Sequence, residues 1–192
     1  MYDSKQNSVP AVVALAGRRT DRSGAQPPRF PLEHVQEVGR RVADALRNVG
    51  AVALVCSAAC GADLAALEQA EQLGVRRRIV LPFAAARFRE TSVIDRPGDW
   101  GPIFDRQIAA VAAAGDLIVL DVGGDDDAAY AAANKAIVRE AVALARSATG
   151  GKDNHLIAVL VWEGAARPGD ATADFAALAA HAGFKVQSIP TL

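Results

Sequence analysis

The chain has 192 residues, of which 51% are hydrophobic and 22% charged, enough to bury the core of one domain. Its formal net charge of −1 argues against broad electrostatic binding to nucleic acid or to an anionic membrane, although a small anionic ligand needs only a few positive groups. No apolar stretch approaches the roughly 20 residues of a membrane helix, and residues 1–9 contain no signal-peptide core. We therefore expect a cytoplasmic protein without a membrane partner and with a flexible leader over residues 1–9.

Apolar runs of strand length alternate along the chain with segments of helical spacing. In chain order, the predicted elements are a strand over 11–16, a helix over 32–49, a strand over 51–56, a helix over 61–73, a strand over 78–81, a helix over 99–114, a strand over 116–120, a helix over 127–148, a strand over 155–162, a helix over 171–182 and a strand over 184–189. A long connector is predicted between Leu81 and Asp99, and Asp99 is a predicted helix N-cap.

The predicted strands are continuously apolar, which is typical of a sheet covered on both faces. The regular alternation predicts an α/β fold: a Rossmann-like, doubly wound, mostly parallel sheet of about six strands with helices on both faces. We expect residues 10–192 to form one such domain, with the direction of the last strand left open. Ligands of these sheets bind at the carboxyl ends of the strands, so function is expected in the loops that follow them.

The loop after the first strand begins with Gly17, Arg18 and Arg19. A glycine at a strand end lets the backbone approach a ligand closely. One of the two arginines is expected to hold a phosphate or carboxylate bidentately, the alternative being that both are solvated. Gly17 and Arg18 are candidate ligand-binding residues on this basis.

The second loop runs from Ser57 through Gly61 to Asp63 and leads directly into a helix. Its small residues predict a tight turn whose free amides, together with the helix dipole, would bind an anion. Ser57 would add a hydroxyl, and Asp63 would either cap the helix or bind ribose hydroxyls. The alternative is a plain small-residue turn. Neither a GxGxxG fingerprint nor a Walker loop is present, so dehydrogenase or NTPase chemistry is not indicated.

Three further loops supply candidate ligand-binding residues, namely Pro82, Arg87, Gly123, Glu163 and Thr172. Basic and aromatic residues alternate around Pro82 and Arg87, which suits stacking of a base and neutralisation of a phosphate, although the phenylalanines there are expected to anchor the loop to the core. Gly123 would allow close backbone approach, but the aspartates after it would repel a phosphate, so that loop would bind hydroxyls or face solvent. Glu163 would contact a ribose or act as a general base. Thr172 would cap the last helix or bind a phosphate.

No metal site, disulfide framework or bound cofactor is predicted. Cys56 and Cys60 lie four residues apart, and the three histidines show no ligand spacing. Self-association as a homodimer is expected, because the helix over 127–148 carries broader apolar coverage than one buried face needs. The alternative is that this helix lies in a deep groove of its own domain.

The segment AVALVCSAACGADLAALEQA resembles the phosphate-binding segment of the SLOG superfamily, which is related to the Lonely Guy phosphoribohydrolases and to Smf-type DNA-processing proteins. The core of the match is Ser57 with residues 61–63. Further matches, in chain order, fall at residues 29–31, 81–83, 87–88, 92–93, 162–164 and 172–175. The resemblance implies a Rossmann-like fold that binds nucleotides or nucleotide-derived signals. It also implies a role as a sensor in bacterial signalling or defence, in proteins that are often fused to effector domains.

The leading hypothesis is therefore a binding domain for a nucleotide or nucleotide-derived small molecule, and whether it is an enzyme is left open. The alternative is a hydrolase that cleaves the N-glycosidic bond of a nucleoside monophosphate or NAD-like molecule, with Asp63, Asp121 and Glu163 as the possible acids. Lonely Guy enzymes carry Pro-Gly-Gly-x-Gly-Thr-x-x-Glu after the fourth strand, whereas residues 122–130 read VGGDDDAAY and lack that glutamate. Binding of single-stranded DNA is the least favoured hypothesis, given the net charge.

Overall fold

The computed structural model describes residues 10–121, 126–149 and 155–192, so the predicted leader over residues 1–9 lies outside the described residues. Six strands form one sheet in the order β4-β3-β2-β1-β5-β6, and every neighbouring pair is parallel. The strands are β1 (Ala11–Gly17), β2 (Ala51–Cys56), β3 (Arg76–Leu81), β4 (Leu117–Val119), β5 (His155–Val161) and β6 (Lys185–Ile189). The predicted parallel sheet is confirmed, and the last strand, whose direction was open, is parallel as well.

Helices cover both faces of the sheet, as predicted for a doubly wound fold. They are α1 (Val35–Asn48, after a 3-10 turn over Leu32–His34), α2 (Ala62–Gln72), α3 (Ala85–Ser92), α4 (Trp100–Ala113), α5 (Asp126–Thr149) and α6 (Ala171–His181). None of these described helices is long and apolar enough to cross a membrane. The Rossmann-like α/β class is confirmed by this arrangement.

The central strand β1 shows why its sequence is apolar at every position. Ala11, Val13 and Leu15 lie in the core cluster that includes residues of α1, α2, α3 and α4. Val12 and Ala14 lie in a second cluster with residues of α5 and α6. Successive side chains of a strand point to opposite faces, so a strand with helices on both sides must be apolar throughout.

The position of β1 also fixes where a ligand crevice can form. From β1 the chain proceeds through β2 and β3 to β4 at one edge, and then crosses to β5 and β6 on the other side of β1. The loops after β1 and β5 therefore lead to helices on opposite faces. This topological switch point, at the carboxyl ends of the strands, is where open α/β sheets bind their ligands.

The predicted connector between Leu81 and Asp99 is wrong in one respect, because it contains α3. This helix has only eight residues, and its only large buried apolar side chain is Phe88, so the sequence shows no helical repeat there. The phenylalanines anchor the segment as expected: the rings of Phe83 and Phe88 lie 6.0 Å apart, and Phe88 stacks on Phe104 at 6.1 Å. Asp99 stands at the N-cap of α4, but its side chain makes no capping hydrogen bond.

The apolar residues of α5 are accounted for within the domain itself. Ile137, Val138, Ala141 and Leu144 are buried against the sheet, and the half-buried Val142 packs against the same cluster. No α5 residue is among the exposed large apolar side chains of the described chain. The apolar residues of α5 are therefore explained by the alternative prediction that this helix lies in a groove of its own domain. The homodimer stays a prediction, and α5 no longer supports it.

Candidate functional site

A cavity of about 260 Å³ opens at the carboxyl ends of β1 and β2, beside the switch point. Its wall is formed by the ends of β1 and β2 with their loops and by parts of α2, α3, α5 and α6. Most of the lining is aliphatic or aromatic. The polar and charged side chains that line it are Arg19, Ser57, Asp63, Ser92, Tyr130, Asn134 and Thr172. Of the sequence-predicted site residues, Gly17, Ser57, Asp63 and Thr172 line this cavity.

Ser57 lines the cavity. Its Oγ atom is buried and has no hydrogen-bond partner among the described residues. A buried polar atom without a partner costs about 1–3 kcal/mol, so native structures rarely retain one without a reason. Ser57 therefore has both a donor and an acceptor available to a ligand.

Asp63 is a carboxyl group held in an apolar environment. The residue is 7% exposed, and burial raises its pKa to about 7 against the opposing influence of the Ala59 amide and the Arg19 charge. Its Oδ2 accepts a hydrogen bond from the Ala59 amide at 3.1 Å. The predicted capping role is wrong, because the N-cap of α2 is Gly61 and no side chain bonds there. Near neutral pH, Asp63 can both donate and accept a proton.

The turn before α2 does not offer its amides as predicted. The Ala59 amide donates to Asp63, the Cys60 amide to the carbonyl of Ser92 at 3.0 Å, and the Ala62 amide to the carbonyl of Arg18 at 3.0 Å. These three donors are used within the protein. The predicted anion site would need these amides to be free. The prediction is therefore wrong for the amides of Ala59, Cys60 and Ala62.

Two of the three predicted site glycines, Gly17 and Gly61, allow close packing of the surrounding backbone. Gly61 has a φ of +102°, and a Cβ there would lie 2.7 Å from the carbonyl oxygen of Arg18 and from the amide of Thr20. A Cβ on Gly17 would lie 2.5 Å from the Cβ of Ala62. Gly61 therefore lets the β1 loop approach the start of α2, and Gly17 lets β1 approach both Ala62 of α2 and Val161 of β5. Gly17 also borders the cavity.

Arg18 and Glu163 belong to a four-residue charge cluster, formed by Arg18, Arg29, Glu163 and Asp170. Arg18 donates at 2.7 Å to Glu163 and at 2.7 Å to both carboxylate oxygens of Asp170. Arg29 donates to Glu163 and, at 3.1 Å, to Asp170. The carboxylates are almost wholly buried, with side-chain exposures of 8% for Glu163 and 1% for Asp170.

The cluster overturns two of the predicted roles. With two carboxylates bound, Arg18 is not free to hold a phosphate. Burial acts to raise the pKa of Glu163, but hydrogen bonds from Arg18 and Arg29 hold it below its usual value. An ionised, doubly paired carboxylate is a poor general base. Neither Arg18 nor Glu163 lines the cavity.

Thr172 reaches the cavity but does not cap α6. The cap is Asp170, whose Oδ1 accepts from the amides of Thr172 at 3.0 Å and Ala173 at 3.2 Å. The Thr172 hydroxyl accepts a hydrogen bond of 3.3 Å from Arg18. Burial acts to raise the pKa of Asp170. Hydrogen bonds from Arg18 and the Ala173 amide nevertheless hold this pKa well below its usual range.

Three other residues that the sequence predicted for the site do not line the cavity. Pro82 is buried at the end of β3 and does not line it. Arg87 is exposed, lies 4.3 Å from the centre of the Phe83 ring and pairs with Asp126 at 2.5 Å. Asp121 is exposed, with a φ of +49°, and also does not line the cavity. Gly123 lies outside the described residues.

Two polar residues of α5 were missed as site residues. The hydroxyl of Tyr130 lies 2.6 Å from that of Ser92, and the Asn134 side chain donates to the carbonyl of Ala171 at 2.9 Å. Tyr130 and Asn134 are four residues apart on an alanine-rich helix and so share one face. That spacing of two polar groups among alanines was the available signal.

A larger groove adjoins the cavity. It lies between α5 and α6, has a volume of about 780 Å³, and shares Tyr130, Asn134 and Ala171 with the cavity. Its charged residues are Asp127, Lys135 and Asp174. A ligand larger than the cavity could extend along this groove.

Comparison with protein-family models and with curated proteins gives no match. The class of the protein follows from the structure: an α/β domain with a Rossmann-like, all-parallel sheet and a cavity at its carboxyl edge.

Proposed function

We propose that the domain binds a nucleotide or a nucleotide-derived small molecule in the cavity at the ends of β1 and β2. The observation that carries this proposal is the buried, unpartnered Ser57 hydroxyl in a cavity beside the switch point. Sheets of this type bind nucleotides at that position. The resemblance to the SLOG superfamily supports a role as a sensor in a bacterial signalling or defence system, acting with an effector domain.

The lining of the cavity suits part of a nucleotide. Leu15, Phe88 and Ile137 provide apolar surface, and Ser57 and Asp63 provide hydrogen-bonding groups. Small-molecule sites combine a mostly apolar wall with a few polar groups and usually measure about 300–1,000 Å³. The cavity alone is slightly smaller than that, so a whole nucleotide would extend into the adjoining groove between α5 and α6.

Isothermal titration against AMP, ADP-ribose, NAD and cyclic nucleotides tests the proposal. We expect the wild type to bind at least one of them. Ala133→Leu places a larger side chain in the cavity wall and should weaken binding by at least about tenfold, or 1.4 kcal/mol. Ala143→Leu, an exposed position on the same helix, is the matched control and should not change the affinity. Absence of binding to all four in a folded sample would refute the proposal.

A second function, cleavage of an N-glycosidic bond, is favoured by Asp63. Of the three acids considered from the sequence, Asp63 lines the cavity, whereas Asp121 and Glu163 do not. With its pKa raised to about 7 by burial, its carboxyl group is partly protonated at neutral pH, as a general acid must be. With AMP, water would add to the anomeric carbon and the carbon–nitrogen bond to the base would break. Asp63 would give its proton to the leaving base, and the proton lost by the attacking water would restore the Asp63 carboxyl group.

Chromatographic detection of free base from AMP or NAD tests this second function. We expect Asp63→Asn to lower the rate with AMP by at least about a hundredfold, as for loss of a general acid. The matched control is Asp121→Asn, which alters an exposed acid outside the cavity and should retain full activity. If the wild type releases no base, hydrolysis is excluded and only the binding function remains.

A further inference from the structure

The cavity and the groove between α5 and α6 meet at a junction, formed by the three residues that line both spaces: Tyr130, Asn134 and Ala171. At this junction the side chains of Tyr130 and Asn134 are half-buried, and Ala171 is exposed. Their surfaces are therefore open to a ligand. A molecule that occupies both the cavity and the groove has to pass between these residues.

The cavity and the groove suit different parts of a nucleotide. Most of the cavity wall is apolar, and the donors nearest to it are in use: three amides of the turn before α2 are bonded within the protein, and Arg18 is bound by two carboxylates. The cavity thus suits the base better than the phosphate. The groove carries charged side chains and suits the polar end of the ligand. Because the ribose joins the base to the phosphate, it would lie at the junction.

Asn134 provides a hydrogen-bond acceptor at the junction. Its Nδ2 donates to the carbonyl of Ala171 at 2.9 Å, which connects α5 to the start of α6 and fixes the orientation of the carboxamide. Its Oδ1 has no partner within the part of the chain that the structure describes. A carboxamide oxygen can accept two hydrogen bonds, so Oδ1 is available to a hydroxyl of the ligand.

Tyr130 provides a second acceptor. Its hydroxyl lies 2.6 Å from the hydroxyl of Ser92, and its ring packs edge-on against Phe83 with the ring centres 5.8 Å apart. These two contacts hold the Tyr130 hydroxyl in place. Whichever of the two hydroxyls donates, the Tyr130 oxygen keeps a lone pair that can accept a further hydrogen bond. Tyr130 and Asn134 are four residues apart on α5, so both acceptors lie on the same face of the helix.

We infer that Tyr130 and Asn134 bind the 2′- and 3′-hydroxyl groups of the ligand's ribose. This inference rests on the proposed binding function and narrows the ligand to a ribonucleotide in which both hydroxyls are free. Each hydroxyl donates one hydrogen, and the junction supplies one acceptor for each. A deoxyribonucleotide lacks one of these donors, and a 3′,5′-cyclic nucleotide has its 3′ oxygen esterified. Either ligand would leave an acceptor of the junction without its partner.

Titration of AMP, 2′-deoxy-AMP and 3′-deoxy-AMP tests this ribose subsite. The wild type should bind AMP at least about tenfold more tightly than either deoxy analogue, a difference of 1.4 kcal/mol. Asn134→Ala should abolish the discrimination against one analogue, and Tyr130→Phe should abolish it against the other.

Two further variants serve as controls in the same titration. Asn134→Asp keeps an acceptor oxygen and should retain the discrimination, because all three ligands carry the same phosphate and its repulsion cancels in the ratio. Arg139→Ala changes an exposed position of α5 that lines neither the cavity nor the groove, and both ratios should stay as in the wild type.

IMP checks that the two residues contact the sugar and not the base, since IMP has a carbonyl where AMP has the amino group of adenine. Asn134→Ala and Tyr130→Phe should leave the ratio of the AMP and IMP affinities unchanged. If they change this ratio and leave the deoxy ratios as they are, the base lies at the junction and the ribose subsite is overturned.

The outcomes separate the ribose subsite from the binding function. Equal affinity of the wild type for AMP and both deoxy analogues would overturn the subsite and leave the binding function standing. Discrimination that survives in both Asn134→Ala and Tyr130→Phe would do the same, as would a wild type that binds NAD but not AMP. If AMP, ADP-ribose, NAD and cyclic nucleotides all fail to bind, the binding function is refuted and the subsite with it.

Discussion

Asp63 accepts a hydrogen bond from the amide of Ala59, 3.1 Å away, and so closes the turn that leads into α2. The sequence of this turn predicts an anion-binding loop, yet the Ala59 amide already donates to the carboxyl group of Asp63. Because the same group is 7% exposed, it is held largely away from water. Protonation of Asp63 is therefore coupled to the stability of the fold, and it also sets the charge of a residue that lines the cavity.

Asp63 should make the protein less stable as the pH rises towards 8. Burial raises its pKa from 3.8 to about 7, so the folded state binds the proton more tightly than the unfolded chain. The resulting stability is fully present below 3.8 and is lost as the pH rises through about 7. Asp63→Asn should remove this dependence, because the amide oxygen can still accept from Ala59. Relative to this variant, the wild type should lose up to about 4 kcal/mol between pH 4 and 8.

Urea unfolding of both proteins across this pH range measures the effect, since other titrating groups cancel in the difference. A difference that stays constant from pH 4 to 8 would contradict the raised pKa of Asp63.

Asp170 should be a major contributor to stability. Its side chain is 1% exposed, caps α6 through two amides and pairs with Arg18 and Arg29. Asp170→Ala should cost about 3–5 kcal/mol of unfolding free energy, because it leaves buried positive charge with one carboxylate. The control is Asp44→Ala, whose 69% exposed side chain pairs with Arg47 and should contribute less than about 1 kcal/mol. Chemical denaturation measures both, and equal losses would contradict the importance of the cluster.

Glu163 should make the protein sensitive to acid. Hydrogen bonds from Arg18 and Arg29 outweigh burial and lower its pKa below the usual 4.5. The stability from its ionised form is present above that value and is lost as the pH falls below it. Glu163→Gln should therefore start less stable at pH 6 and lose less between pH 5 and 3 than the wild type.

Thermal unfolding at pH 6, 5, 4 and 3 measures this difference. Glu33→Gln, at an exposed position, should follow the wild type throughout. A Glu163→Gln profile parallel to that of the wild type would contradict the prediction.

Gly61 should tolerate substitution much less well than Gly74. Both have positive φ values, +102° and +67°, but a Cβ at Gly61 would meet backbone atoms at 2.7 Å, whereas none lies within 4 Å at Gly74. Gly74→Ala should cost about 1 kcal/mol, and Gly61→Ala about 1–3 kcal/mol more. Equilibrium unfolding compares the two, and similar costs would show that the β1 loop moves away readily.

The architecture could be predicted because it depends on patterns local to each element. Continuous apolar runs such as residues 11–16 report burial on both faces directly, and their alternation with helices then defines the parallel sheet. The helix α3 could not be predicted in this way, because two turns with one large buried side chain give no period. The predicted strand over 116–120 was longer than β4, which has three residues.

The site could be placed at the correct edge of the sheet but not assigned atom by atom. Arg18 and Arg19 are adjacent, and the sequence could not choose between them as phosphate ligands. What separates them is that Arg18 pairs with Glu163, 145 residues away. Asp63 posed the same problem, since its partner and its burial both depend on how the turn packs against the β1 loop.

The four charged side chains between the β1 loop and the β5–α6 loop have a consequence for the rigidity of this edge of the sheet. They bond these two loops to each other across the switch point, and their carboxylates are almost wholly buried. Moving the loops apart would break buried ion pairs, so this edge should keep its shape when a ligand binds, and little conformational entropy would be lost there.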